Sequence, residues 1–494
     1  MYHFESVVPG LRGFATLISA TATATVTFIR DSRLLLERPG EVIPDENRDA
    51  IKAAFVERFV RDNPVYGDAR RYRRPCRHIP KQISLFDVGP DGTWILPRGA
   101  EPDVCAIITQ HWPECTVEFQ DRTIAVGPDR FTLKAELRDY QALAVKTAVA
   151  ARQGVIQAPT GSGKTVIACG LIAETGMNTL FIVHTAVLME QTAAAIRGFL
   201  GVEPGIIGGG RNEYGDITVA MVQTLARRDL RELAGSFGMV ILDEAHHCPA
   251  ESFKGIVAAF PARYRFGLTA TPTRKDRLHP VLFDIVGPVI ARVNAKNLMR
   301  SGNITPVEMI RVDTGFKTKY TKDYGKLVTR ISVNRERNGL VADAIARHRG
   351  DRTLVLSERV DHCHTMAAAL ESLGIQSIVL TGSVPAAERT GMISDFSAGL
   401  VKVLISTSSL VGEGFDLPAI DTVVITIPNG NTARTTQLLG RALRPFAGKE
   451  AGRILDFCDS LVPLLFNQYQ RRAAVYRKFA LREICEAWPP QLID

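Results

Sequence analysis

APTGSGKT, at residues 158–165, decides how this chain is read. It follows a short apolar run at 154–157 and fits the phosphate-loop pattern, except that Ala158 stands at the place of the first glycine. Pro159, Gly161 and Gly163 suit a tight turn and would disrupt a helix interior. The string therefore predicts strand, turn and helix. Such a turn aims successive backbone N–H groups at phosphates, with the positive N-terminus of the next helix behind them. The predicted cradle is Pro159, Thr160, Gly161, Ser162, Gly163, Lys164 and Thr165. Lys164 reaches the β and γ phosphates of a nucleotide, and the Thr165 hydroxyl ligates Mg²⁺. A lone match of this kind is also compatible with an ordinary surface loop, so the strings downstream matter.

Residues 239–242 form an apolar run that predicts a buried parallel strand. It delivers Asp243 and Glu244 to the carboxyl end of the strand, where open α/β sheets hold their ligands. Two adjacent carboxylates there divide the labour: Asp243 holds Mg²⁺, and Glu244 orients and deprotonates a water. His246 and His247 follow, but neighbours lack the i, i+4 spacing of a helical zinc site. His246 is read as a hydrogen-bonding relay. Much further on, QLLGRALR at 437–444 places Arg441 and Arg444 one helical turn apart, with Gln437 one turn back. A guanidinium fork suits the charge on a transferred phosphoryl group. The plain alternative is a solvated basic helix face.

With LDEAHH at 242–247 and LTATP at 268–272 in the same order, the chain resembles the superfamily 2 helicases of the DEAH-lettered type, in particular the XPB-like and phage UvsW-like DNA helicases. The likeness runs over about residues 137–478. LRDYQ at 137–141 resembles the segment whose Arg and Gln recognise adenine, here Arg138 and Gln141. FIVHT at 181–185 and VQTL at 222–225 resemble strand-binding segments, and they nominate Thr185, Gln223 and Thr224. GLTATPTRKD at 267–276 is similar to motif III followed by a charged element of the XPB-like branch, with Lys275 where that branch more often has Glu. In the second half, LVLSERVDHC, ISTSSLVGEGFDLP and QLLGRALRP resemble motifs IV, V and VI. They nominate Arg359 and Thr407 for the nucleic acid, and Gly414 and Asp416 for the nucleotide; Thr381, at the end of the strand candidate 378–381, is a further candidate contact to the nucleic acid. The resemblance implies ATP and Mg²⁺ as cofactors, DNA as partner, 3′ to 5′ movement, and a site completed by Arg441 and Arg444 when two lobes close.

A second series of apolar strands and helices from 353 to 427 alternates β and α, which argues for another parallel sheet. The expected fold is thus α/β, two tandem RecA-like parallel-sheet lobes preceded by a small α+β N-terminal module. The boundaries are 1–130 for that module, 131–291 for the ATP-binding lobe, 292–338 for a linker or thumb-like insertion, and 339–494 for the second lobe with C-terminal helices. Within 292–338, five basic residues from Lys317 to Arg330 admit either a linker or lobe edge, or a DNA-contacting element. The basic segment beyond residue 456 is expected to be helical and to pack on the second lobe.

Composition fits a polyanionic partner: the net charge is +8 over 494 residues. Eight cysteines without a CxxC pair argue against a zinc or disulfide framework and for a reducing cytoplasm. His362, Cys363 and His364 lie in a predicted helix where neighbours diverge, so a structural role is expected. Residues 11–29 are too broken by polar residues to span a membrane; a strand is expected over 21–29, and no membrane partner.

Residues 45–60 predict an amphipathic helix. Beyond it, Arg58, Arg61, Arg70, Arg71, Arg73, Arg74, Arg77 and Lys81 interleave with Tyr66 and Tyr72. This stretch suits either phosphate binding with base stacking, or a solvated loop packed on acidic neighbours. WILPRG at 94–99 resembles a strand and turn in the N-terminal module of related bacterial helicases. No nuclease constellation of carboxylates and lysine is found. The leading functional expectation is a DNA translocase that unwinds or remodels duplexes. Two others stand beside it: a motor subunit of a defence, repair or replication assembly, docking a nuclease, primase or other protein through the N-terminal module, and an RNA helicase.

Overall fold

The computed structural model describes residues 24–128, 131–159, 161–244, 250–270, 278–320, 323–412, 420–428, 451–477 and 480–486, with the single residues 430, 435, 440 and 449. The chain divides into two compact units, 1–158 with 163–293, and 294–494 with the short loop segment 159–162. Among the described residues no helix is long and apolar enough to cross a membrane.

In the first unit, five apolar runs form parallel strands, each nearly or wholly buried as expected for a sheet covered on both faces. The spatial order is Ile217–Met221, Thr179–Val183, Met239–Asp243, Tyr264–Thr269 and Gln153–Gln157, extended at one edge by Val289–Arg292 and at the other by Gly205–Gly208 and Arg211–Asn212. Every pair is parallel except the last. The carboxyl ends of the strands therefore share one edge.

Ahead of this sheet, the strand Ala24–Arg30 pairs in parallel with Cys115–Asp121 and antiparallel with Leu34–Leu36, within a five-stranded sheet. The helix Asp45–Phe59 buries Ile51, Phe55 and Phe59. Phe55, Phe86 and Trp94 pack with ring centroids about 6 Å apart. Read from sequence as a module of its own, this region instead shares one continuous apolar core with the neighbouring parallel sheet.

Two buried arginines explain the union. Arg98, from WILPRG, donates to the carbonyls of Asp31, Ala262 and Arg263 at 2.7–3.0 Å and to Gln153 Oε1 at 2.8 Å. Burial lowers its pKa to about 10, with Arg30 adding to the effect, so it stays charged at neutral pH. Arg265 donates to the carbonyls of Ser32, Val257, Phe260 and Ile285. Gly99 is required between them: a Cβ there would lie 2.4 Å from the Gly287 nitrogen.

The second unit holds seven parallel strands in the order Ser377–Leu380, Val403–Thr407, Thr353–Ser357, Thr422–Ile425, Gly452–Cys458, Val307–Asp313 and Ala480–Glu486. Residues 292–338 are thus not a free linker: Val307–Asp313 is an interior strand of this sheet. The helix Tyr324–Ser332 buries Leu327, Val328 and Ile331 against Ile427, Val462 and Leu465. Its exposed face is basic because the other face is core. The helix Pro463–Tyr476 is fixed to the sheet by Arg472, whose fully buried guanidinium takes Asp456 in a two-point pair at 2.7 and 2.9 Å.

Candidate nucleotide site and strand edges

The helix Lys164–Thr175 begins directly after the phosphate loop, with Gly163 as its cap at φ 76°. Gly161 also has a positive φ, 86°. These are conformations that glycine adopts without strain. At Gly163 a side chain is excluded twice over, since a Cβ would come within 2.6 Å of Gln141 Nε2. Ser162 Oγ donates to the Pro159 carbonyl at 2.6 Å, and the Ala158 N–H donates to the Thr269 carbonyl at 3.0 Å. The loop is thereby tied to the strand that carries motif III.

Met239–Asp243 places its two carboxylates at the same edge. Asp243 is buried, and burial raises its pKa well above the ordinary carboxyl range; the Glu244 charge adds to the rise and Lys164 opposes it. Glu244 adopts φ 46°, a left-handed conformation rare outside glycine and the kind of local strain found at functional positions. Its N–H donates to Asp243 Oδ1 at 3.0 Å, and its carboxylate lies 3.2 Å from Lys164 Nζ. Lys164, Asp243 and Glu244 thus converge. Thr165 sits half-buried in the first turn of the same helix.

Arg138 and Gln141 open the helix Asp139–Ala151. Gln141 is buried and its Oε1 accepts from the Arg138 N–H at 3.0 Å, while Arg138 is exposed. The Gln141 side chain therefore both caps its own helix and abuts the phosphate loop, a contact that sequence spacing does not reveal. Thr160, His246, Gly414, Asp416, Gln437, Arg441 and Arg444 lie outside the described residues, as do Arg274, Lys275 and Asp276.

The residues nominated for nucleic acid sit at carboxyl ends of strands in both units. Thr185 follows Thr179–Val183 and caps the next helix by accepting from the Leu188 N–H at 3.2 Å. Gln223 and Thr224 follow the adjacent strand, and Gln223 Nε2 donates to the His184 carbonyl at 2.8 Å. In the second unit, Arg359 is exposed after Thr353–Ser357. Thr381 and Thr407, at neighbouring strand ends, are buried at 2% and 7% exposure, and Thr381 Oγ1 is engaged with Ser383 Oγ at 2.8 Å. His362 bridges Ser357 Oγ and Asn338 Oδ1 from the interior, while His364 points out. Their divergence follows from the helical spacing.

Residues 134–274 match the family described as "Type III restriction enzyme, res subunit", and 336–445 match the "Helicase conserved C-terminal domain". The chain is 29% identical over 383 residues to a DNA 3′-5′ translocase, XPB2, of Sulfurisphaera tokodaii, covering 68% of this chain and 85% of that one. It is 28% identical to the probable helicase D10 of Escherichia phage T5, over 65% and 71% of the two chains. It is 30% identical to the DNA 3′-5′ helicase XPB of Mycobacterium tuberculosis, over 63% and 58%. A solved structure of the ATP-dependent Type ISP restriction-modification enzyme LlaBIII bound to DNA shares the fold at 16% identity, with a TM-score of 0.53 over 72% of this chain and 32% of that one. With two parallel-sheet units, the phosphate loop and carboxylate pair at one sheet edge, and these matches across both units, the chain belongs to the superfamily 2 helicases, in the branch of the XPB-like enzymes.

Proposed function

We propose that this helicase is a cytoplasmic, ATP-dependent DNA translocase that moves 3′ to 5′ along one strand and unwinds or remodels duplexes. The observation that carries the reading is the convergence of Lys164, Asp243 and Glu244 on the sheet edge that also presents Thr185, Gln223 and Thr224. The names of the XPB-like relatives support DNA and the polarity. The unpatterned cysteines suit a reducing compartment.

The donors present fit a nucleotide with a hard cation: glycine turns that leave the loop backbone bare, one lysine, a threonine hydroxyl and a buried carboxylate. Lys164 and the loop N–H groups would hold the phosphates, and Thr165 and Asp243 would hold Mg²⁺. ATP, when bound, would supply the phosphoryl group that water attacks, with ADP as the leaving group and Mg²⁺ offsetting the charge. Glu244 orients that water and accepts its proton. Gln141 and Arg138 are assigned to the adenine, and Gly414, Asp416, Gln437, Arg441 and Arg444 to the nucleotide by their motifs. The nominated contacts are mostly short and polar, suited to sugar and phosphate oxygens rather than base edges, as a motor indifferent to sequence needs.

Strand displacement tests the reading. Partial duplexes with a 3′ or a 5′ single-stranded tail, made of DNA or of RNA, are incubated with the enzyme, ATP and Mg²⁺. Displacement confined to the 3′-tailed DNA is expected. Displacement of RNA alone, or from 5′ tails only, would overturn the assignment.

A further inference from the structure

Between Val60–Asp62 and Gln82–Ser84, which pair antiparallel, the chain makes an excursion over residues 64–81. Asn63 closes it: its side chain accepts from the Val65 N–H at 3.1 Å and donates to the Pro80 carbonyl at 2.9 Å, and its own N–H donates to the Lys81 carbonyl at 2.9 Å. The helix Pro64–Arg71 occupies the first half. Its end is wound tightly, with the Arg73 and Arg74 N–H groups donating to the Arg70 and Ala69 carbonyls. Arg73 takes φ 52°, a position where glycine would be less strained.

Six basic side chains, Arg70, Arg71, Arg73, Arg74, Arg77 and Lys81, stand here against one acid, Asp68, in a chain whose whole net charge is +8. All seven side chains lie on an exposed surface. Among the described residues none of the six pairs with a carboxylate. The contrast with the base of the excursion is internal to the protein. There Arg58 takes Asp103 and Asp284 at 2.8 Å each, and Arg61 takes Asp284 at 2.6 Å. Neutralisation at the base and its absence at the tip mean that the tip charge is not spent on packing. Tyr72 completes the surface: it is 61% exposed, with the Arg71 and Arg74 guanidinia 6.0 and 5.7 Å from its ring centroid.

We infer that this arginine-ringed tyrosine surface is a second nucleic-acid contact, which grips the phosphate backbone of DNA and offers Tyr72 for stacking, separate from the strand-edge residues of the motor. It rests on the reading of the chain as a DNA enzyme and extends it to the accessory region. Guanidinium forks match phosphate oxygens, and an exposed aromatic ring among them stacks on a base whatever its identity. Closure of both ends on Asn63 limits the ordering cost of binding.

The test uses the full chain with R71S, R73S, R74S and R77S combined, and the same four positions changed to lysine. Binding to labelled forked DNA is followed by fluorescence anisotropy through a salt series. The slope of log affinity against log salt should be shallower in the serine variant by about 0.9 for each lost phosphate contact, about 3 to 4 in all. The lysine variant should keep most of the wild-type slope, and melting temperature and DNA-independent ATP hydrolysis should be unchanged in both. Equal slopes for wild type and serine variant overturn the inference while leaving the motor reading intact. Loss of binding to phosphatidylserine vesicles with an unchanged DNA slope overturns it in favour of a membrane surface. A wild-type protein that binds no DNA removes both readings.

Discussion

Lys164 Nζ lies 3.2 Å from Glu244 Oε1, and each side chain is only 12% exposed. The cation proposed for the phosphates and the carboxylate proposed for the water thus pair with each other. On the proposed roles, a bound polyphosphate would compete with Glu244 for Lys164 and free the carboxylate to act as base.

Glu244→Gln tests this pairing. It keeps the shape of the side chain and removes its charge, so nucleotide affinity should hold or rise while turnover falls about a hundred- to ten-thousandfold. Equilibrium binding of a non-hydrolysable ATP analogue and steady-state hydrolysis separate the two effects. Retained turnover would remove Glu244 from the chemistry.

Gly163→Ala should damage the phosphate loop from within. The added methyl meets Gln141 Nε2 at 2.6 Å in a backbone at φ 76°. Left-handed strain of this kind costs about 1–3 kcal/mol, so lower nucleotide affinity and a lower melting temperature are expected together. An unaltered analogue affinity would show that the loop tolerates a side chain there.

Arg98→Ala addresses the union of the accessory region with the first parallel sheet. Three carbonyls and Gln153 lose a charged donor in a buried place, and the expected loss of stability is about 3 kcal/mol. Because the two parts share one core, chemical denaturation of the first unit should show a single shifted transition for both. Two transitions, only one of them shifted, would contradict a common core.

His362 makes the second unit sensitive to acid. Burial, with the Arg337 charge adding to it, lowers its pKa from 6.5 to about 4, so the fold holds it neutral. The unfolded chain binds the proton first as pH falls. The stability secured by neutral His362 is therefore complete above about pH 6.5 and drains away toward pH 4, by about 3 kcal/mol in all. Melting temperatures across that range should fall more steeply in wild type than in His362→Gln. Parallel curves would show that His362 does not titrate in this way.

The grouping of Lys164, Asp243 and Glu244 in the candidate site is legible in sequence because its parts are local. A phosphate loop is a contiguous string, and an apolar run ending in Asp243 and Glu244 places both carboxylates at a strand end without help from distant residues. The order of parallel strands then sets Thr185, Gln223 and Thr224 on the same edge. The features that are not legible depend on remote partners. Arg58 and Arg61 look like Arg71 and Arg74 in sequence, and Asp284, more than two hundred positions away, makes the first pair structural, with Asp103 adding a second partner for Arg58. Nothing near Arg98 or Arg265 in sequence signals the carbonyls that surround them. The strand Val307–Asp313 is masked in sequence by the basic residues that follow it, although VEMIRVD itself sets apolar residues among charged ones as a strand does. The role of Gln141 against Gly163 needed the packing of one helix on another.

The most direct test of the central claim is steady-state ATP hydrolysis by the full chain without nucleic acid and with single-stranded DNA, forked DNA or RNA, repeated on Lys164→Ala and Arg441→Ala. Strong stimulation of wild type by single-stranded or forked DNA is expected, with none in either variant and with near-normal analogue binding kept in Arg441→Ala alone. Hydrolysis that ignores DNA, or that survives the loss of Lys164, would contradict the account.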